Sequence, residues 1–287
     1  MQLKEIRNIF HKELDGLYAL EEINSFFYLL IEHHLGLERF ILALKPDITI
    51  TKTEEQPLFE ALSELKKFKP IQYIIGETSF MELDLAVTPD VLIPRPETEE
   101  LVRWIIDDVK AFSGSKTVGK IKILDIGTGS GCIAIALAKN LPQAEVYALD
   151  VSESALEIAR TNAIRNNVTI QFLHLSILNR PELNDKFDII VSNPPYVREQ
   201  EKVGMHSNVL DNEPGLALFV KDDNPLIFYK EIALFAKKHL NESGALYLEI
   251  NQYLAKETEQ LLKEHNFSEI ELRKDMFDNY RMIKTVI

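Results

Sequence analysis

From Ile121 onward the chain alternates short apolar runs with helical ones, and this rhythm limits the possible folds more than any other feature. The runs IKILDI, AEVYALD, TIQFLHL, FDIIVS and GALYLEI are short and apolar along most of their length. Strands of that kind are covered on both faces, as in a parallel sheet. The stretches CIAIALAKNL and SALEIARTNAIRNN supply the helical connections that parallel neighbours need. The closing segment FSEIELRKDMFDNYRMIKTVI reads as two strands and a turn, with no room for a helix between them. The simplest topology is a mostly parallel α/β sheet of seven strands that ends in an antiparallel hairpin.

The first seventy residues follow a different rule. Leu3, Ile6, Phe10 and Leu14 recur at spacings of three and four, as do Leu20, Ile23, Phe27 and Leu30. A third short set surrounds Leu37 to Leu44, and Leu58, Leu62, Leu65 and Phe68 make a fourth. Gly16, Gly36 and KPDITITKTEEQP punctuate these helices. A small bundle is expected, because short helices cannot bury an apolar face alone. SFMELDLAVTPDVLIP alternates and carries turn signals, which predicts a hairpin. RPETEELVRWIIDDVKAF predicts a helix with Leu101, Val102, Ile105, Ile106 and Val109 on one face, and SGSKTVGK a flexible loop. The expected organisation is a helical domain over 1–75, a hairpin linker over 76–96 and an α/β domain over 97–287.

The formal net charge of −13 over 287 residues argues against a broad, sequence-independent grip on nucleic acid. One cysteine, Cys132, permits neither an internal disulfide nor a thiolate metal cluster, and the seven histidines are scattered, so no metal site is expected. MQLKEIRNIFHKELDG has no apolar core of signal-peptide length, and no apolar run approaches membrane-spanning length. A cytoplasmic protein is expected, without membrane or direct nucleic-acid partners. Nothing signals an interface, which favours a monomer.

KILDIGTGSGCIAIALA places Gly127, Gly129 and Gly131 between a strand and a helix. Glycines at such a turn let the backbone approach a ligand, and the helix N-terminus offers unpaired N–H groups. The spacing is G-x-G-x-G, not the G-x-G-x-x-G of dinucleotide folds, and no Lys-Ser/Thr pair makes a phosphate loop. It resembles the loop of S-adenosylmethionine-dependent methyltransferases of the Rossmann-like class, where it curls around the methionine part of the cofactor. Asp150 ends the next strand, where a carboxylate can accept both hydroxyls of a ribose. Its plainer role would be to cap the following helix, a task Ser152 could fill instead. Cys132 opens a helix, a position that can lower a thiol pKa, but small core filling accounts for it.

Asn193-Pro194-Pro195-Tyr196 ends the fourth strand on the same sheet edge. A rigid strand-ending turn explains the prolines but not their neighbours. Methylating a planar –NH2 is hard because its lone pair is delocalised. Two acceptors, the Asn193 side-chain oxygen and the Pro194 carbonyl, can take its N–H bonds and aim the nitrogen at a methyl group. Pro194 and Pro195 stiffen the corner, and Tyr196 can stack on the flat group. Catalysis would then rest on positioning and preorganised electrostatics. Adenine N6, cytosine N4 and glutamine side-chain nitrogens all present this group, so the corner alone leaves all three open.

The ordered series KPIQYIIGETSF, VLIPRPETEELV, LDIGTGSGCIAIALA, SNPPY and NEPGLALFVKDDNPLIFYKEI resembles the HemK/PrmC-type peptide chain release factor glutamine N5-methyltransferases. The resemblance runs from about Lys69 to the C-terminus and implies a class I methyltransferase fold. It implies methyl transfer from S-adenosyl-L-methionine to the Gly-Gly-Gln glutamine of class-one release factors, with the N-terminal helices helping to hold that partner. It assigns Gly127, Thr128, Gly129, Ser130, Gly131, Asp150, Ile177 and Asn193 to the cofactor, and Asn193, Pro194, Pro195 and Tyr196 to the glutamine amide. Catalysis falls to Asn193, Pro194 and Tyr196, and Arg95 to Thr98 line the cofactor mouth. Ser176 and Ile177 stand where relatives carry an Asp and an aromatic, Asn251 where they carry glycine, and Arg281 is retained. A glutamine methyltransferase acting on a ribosomal protein is the near alternative, and a nucleic-acid amino-methyltransferase the distant one.

Overall fold

The computed structural model describes residues 1–113 and 121–287, so the loop expected at SGSKTVGK lies, from Gly114 on, outside the described residues. The chain divides into two compact units, Met1–Gly76 with His206–Asn212, and Glu77–Met205 with Glu213–Ile287.

The first unit holds α1 (Leu3–Leu14), α2 (Leu20–Leu35), α3 (Ile41–Leu44), α4 (Lys52–Leu65) and α5 (Ile71–Ile75). Leu3, Ile6, Phe10 and Leu14 are fully buried, the stripe their spacing predicts. In α2 the buried stripe begins at Ile23 instead, because Leu20, at the first helical position, is 62% exposed. The helix expected between Leu37 and Leu44 shrinks to the single turn α3, and Phe68 falls beyond α4 in a left-handed turn. KPDITITKTEEQP is a break only in its first half. Thr51 accepts from Glu54 N while the Glu54 carboxylate accepts from Thr51 N, and this capping box starts α4 before Pro57.

The second unit opens with the hairpin β1 (Glu77–Phe80) and β2 (Leu83–Ala86), turned by Met81 and Glu82, both at positive φ. There follow α6 (Pro96–Ser113), β3 (Lys122–Ile126), α7 (Cys132–Asn140), β4 (Glu145–Asp150), α8 (Glu153–Arg165), β5 (Ile170–His174) and β6 (Phe187–Ser192). Next come β7 (Val197–Arg198), α9 (Ser207–Leu210, part of the first unit), α10 (Gly215–Leu218) and β8 (Phe219–Val220). The chain closes with α11 (Ile227–His239), β9 (Leu240–Glu249), α12 (Ala255–Glu264), β10 (Ser268–Lys274) and β11 (Tyr280–Val286). Five of these strands match the apolar runs; α11 and α12 cover the sheet beside β9 without having been marked out in the sequence.

The seven-stranded sheet has the order β10-β11-β9-β6-β3-β4-β5, with β9 to β5 parallel and β10-β11 the antiparallel hairpin at its end. One apolar layer joins α6, α7 and the β1-β2 hairpin to the sheet, and a second joins α11 and α12 to the other face. Chain direction across the sheet reverses between β3 and β6, the switch point where open α/β sheets bind ligands. Register aligns the strand ends there: Ile126 pairs with Ser192, and Ser192 with Leu248. At the opposite end of β9 the ladder slips from Phe187–Leu240 to Ile189–Ala245, so Asn241 to Gly244 face the single residue Asp188. Among the described residues no His/Cys/Asp/Glu group could hold a metal, and no helix is long and apolar enough to cross a membrane.

Candidate active site

The loop between β3 and α7 is shaped by backbone. Gly127 N and Thr128 N both donate to Leu149 O, at 2.8 and 3.1 Å, which ties the end of β3 to the end of β4. Gly127, Gly129 and Gly131 have φ of 74°, 54° and 84°, a region costly for other residues. Gly131 is also closed in, since a Cβ there would lie 2.9 Å from Ile135 Cδ1 and 3.1 Å from Ala159 Cβ. Asn162, wholly buried on α8, steadies the loop from below by donating to Ser130 O and pairing with both Ala86 backbone groups.

Two carboxylates flank this loop. Asp125, on β3, is fully buried and takes the Thr128 hydroxyl at 2.6 Å on Oδ2. Burial raises its pKa to about 7, the nearby Asp150 charge pushing the same way against the Thr128 hydrogen bond. Asp150, at the tip of β4, accepts from Gly129 N and Ser152 N, each at 2.9 Å. Ser152 caps α8 through Ala155 N, so the capping role belongs to Ser152 and leaves the Asp150 carboxylate beside the glycine loop. The helix start does not activate Cys132: burial pushes its thiol up to about 12.

The corner after β6 is held by side chains. Ser192 Oγ donates to Ile126 O at 2.6 Å and fixes the strand end against β3. Asn193 Nδ2 donates to Thr98 Oγ1 at 3.1 Å, and Thr98 Oγ1 donates to Glu249 Oε2 at 2.6 Å. Tyr196 OH donates to the other oxygen, Glu249 Oε1, at 2.8 Å. Glu249 is 1% exposed, and burial raises its pKa against the two hydroxyl donors and the Arg281 charge. Burial, with Glu249 beside it, likewise keeps the Tyr196 hydroxyl protonated. Asn251 Nδ2 donates to Tyr196 O at 2.9 Å and Glu201 Oε2 at 3.0 Å, so Asn251 clasps the corner's backbone.

Loop, carboxylate and corner face one cavity of about 370 Å³, within the range of small-molecule sites. Gly127, Thr128, Gly129, Ser130, Asp150, Ser176, Ile177, Asn193, Pro194 and Pro195 line it, with Arg95 and Thr98 at its wall. Gly131 and Tyr196 do not. Gly131 packs into α8, and the Tyr196 ring lies against the layer beneath α11. Glu213 accepts from Ile93 N and from the Arg95 guanidinium, which joins IPRPE to NEPGLAL across the cavity wall. Glu249 and Asp125 were missed as site residues. Each leaves a signal in the sequence, a carboxylate inside an otherwise apolar strand run.

Known proteins resemble this chain along nearly its whole length. The Methyltransferase small domain family matches residues 112–212, and the PrmC N-terminal domain family matches residues 18–76. A release factor glutamine methyltransferase of Flavobacterium psychrophilum is 51% identical over 284 residues, 99% of each chain. One from Bacteroides thetaiotaomicron is 38% identical over 98% of this chain and 99% of its own. Among solved structures, human methyltransferase 10 domain containing protein shares the fold at a TM-score of 0.52 and 19% identity, covering 71% of this chain and 89% of its own. With near full-length identity of this order and both family matches in place, the chain belongs to the release factor glutamine methyltransferase family.

Proposed function

We propose that this protein transfers a methyl group from S-adenosylmethionine to the side-chain amide nitrogen of the Gly-Gly-Gln glutamine in peptide chain release factors, in the cytoplasm. The observation that carries the reading is the Asn193 amide, whose nitrogen is committed to Thr98 so that its oxygen remains for an incoming N–H. The identity with release factor glutamine methyltransferases supports the choice of substrate.

The cavity suits the methyl donor. Gly127 and Gly129 face open space at positive φ, so the backbone can meet a ligand closely. The buried Ser130 hydroxyl has no hydrogen-bond partner among the described residues, and Asp150 offers the cavity a carboxylate, the group that accepts ribose hydroxyls. When bound, S-adenosylmethionine supplies an electrophilic methyl group on a sulfonium that leaves as a neutral thioether. The chain's own residues do the rest. Asn193 Oδ1 and the Pro194 carbonyl accept the two amide N–H bonds, turn the nitrogen lone pair toward the methyl carbon and stabilise the charge that develops there. As the C–N bond forms and the C–S bond breaks, one N–H proton is lost to solvent. The stiffness of Pro194 and Pro195 keeps both acceptors in place. The helical domain over 1–75 is assigned to holding the release factor.

The test is to incubate the protein with labelled S-adenosylmethionine and, separately, release factor, a ribosomal large-subunit protein and unmethylated DNA. Label is expected on the release-factor glutamine. Label only on the ribosomal protein or only on DNA overturns the assignment.

A further inference from the structure

An asparagine amide can sit either way round, and only one orientation helps this reaction. With Oδ1 toward the substrate it accepts an N–H; turned over, it would set its own N–H groups against those of the substrate. Thr98 decides which. A threonine hydroxyl has one proton, and Thr98 gives it to Glu249 Oε2 at 2.6 Å. Only lone pairs are left for Asn193, so the amide must offer its NH2 end, as the 3.1 Å contact from Nδ2 shows.

We infer that Thr98 and Glu249 are positioning residues that fix the Asn193 amide with its oxygen toward the substrate, an inference that rests on the proposed glutamine methylation. Three elements converge to make this so. Thr98 stands in the first turn of α6. Asn193 and Glu249 each follow one residue behind the paired Ser192 and Leu248, which brings them to the same height on neighbouring strands. Glu249 also holds Tyr196 OH through its second oxygen, so both ends of the corner hang from one carboxylate. That carboxylate is 1% exposed, and its partners are hydroxyls with no ion pair to it among the described residues. Burying a carboxyl group in this way is costly, and a sequence selected for stability alone would favour an apolar residue there.

The test compares Thr98→Val, Thr98→Ser and Glu249→Gln with wild type on release factor. Thr98→Val keeps the shape but removes the hydroxyl, and kcat is expected to fall ~10- to 100-fold, as for a mis-set preorganised group. KM for release factor and the calorimetric affinity for S-adenosylmethionine should move by less than about threefold, and Thr98→Ser should recover most of kcat. Glu249→Gln should lower kcat comparably, and the Thr98→Val/Glu249→Gln double variant should fall little below the worse single one, because both act through one chain. The Asn193 side-chain NH2 resonances in ¹⁵N-edited spectra of the ligand-free protein should shift in Thr98→Val and return in Thr98→Ser. Wild-type kcat in folded Thr98→Val, or NH2 resonances indifferent to the hydroxyl, overturns the inference. A wild-type protein that leaves the release factor unmethylated overturns the proposed function instead. Should Glu249→Gln fail to fold, the Thr98 pair decides alone.

Discussion

The two walls of the cavity are made of different materials. On the β3-β4 side the wall is backbone: glycines at positive φ, N–H groups gathered on Leu149 O, and a carboxylate that takes two further N–H groups. On the β6-β9 side it is a relay of side chains, Asn193 to Thr98 to Glu249, with Tyr196 closing it from the other end. A backbone wall is specified by residues adjacent in the chain and tolerates little change of shape. The relay joins positions 95 and 151 residues apart in the sequence and depends on where individual protons sit. Binding a constant ligand suits the first; aiming one bond of a substrate suits the second.

Substitutions can separate the walls. The largest effect is expected on the side-chain wall, where Asn193→Ala should lower kcat ~10²–10³-fold, the scale of removing one preorganised polar group. Cofactor affinity measured by calorimetry should change far less, and equal losses in both would merge the two walls. Next is Asp125, buried behind the backbone wall with its pKa raised to about 7. A carboxyl raised on folding contributes its stability below its ordinary range and loses it as pH rises to the folded value. Wild type should therefore lose stability relative to Asp125→Asn between about pH 4 and 7, by an amount on the order of 4 kcal/mol at most, and the difference should then level off. Urea midpoints taken across that range check it; a pH-independent difference refutes it.

Asp150→Ala should weaken S-adenosylmethionine binding by roughly 10- to 100-fold, the worth of hydrogen bonds to a charged group, with kcat at saturation little altered. An unchanged calorimetric affinity would remove Asp150 from the backbone wall. The smallest effect is expected at Gly131, which lines no part of the cavity. Gly131→Ala adds a Cβ against Ile135 and Ala159 at φ 84°, and should lower unfolding free energy by about 1–3 kcal/mol. Activity of the folded fraction should be nearly intact, as read from thermal melts alongside initial rates.

Sequence reading reached the backbone wall more completely than the other, for a physical reason. Glycine spacing, a strand-ending Asp150 and a proline corner are local patterns, and each sits where its pattern placed it. Thr98 was legible only as part of a helix start, and Glu249 only as one letter of an apolar strand, because their contact is made by sheet register and not by spacing. Tyr196 shows the same limit: its residue type suggested stacking, but its hydroxyl is bound to Glu249 and its ring lies outside the cavity lining. In the first unit, Leu20 and the segment from Lys52 were misjudged because burial and capping outrank apolar spacing at helix ends.

The slipped rung at the start of β9 bears on how this chain can change length. Asn241 to Gly244 already absorb extra backbone against Asp188, at the end of the strand away from the cavity. Insertions or deletions there can be taken up before the ladder resumes at Ala245. From Ala245 to Glu249 the ladder has no such slack, and a single added or lost residue would turn Glu249 to the opposite face of the sheet. The strand thus has one end open to length variation and one end closed to it. The closed end is the one that carries the relay.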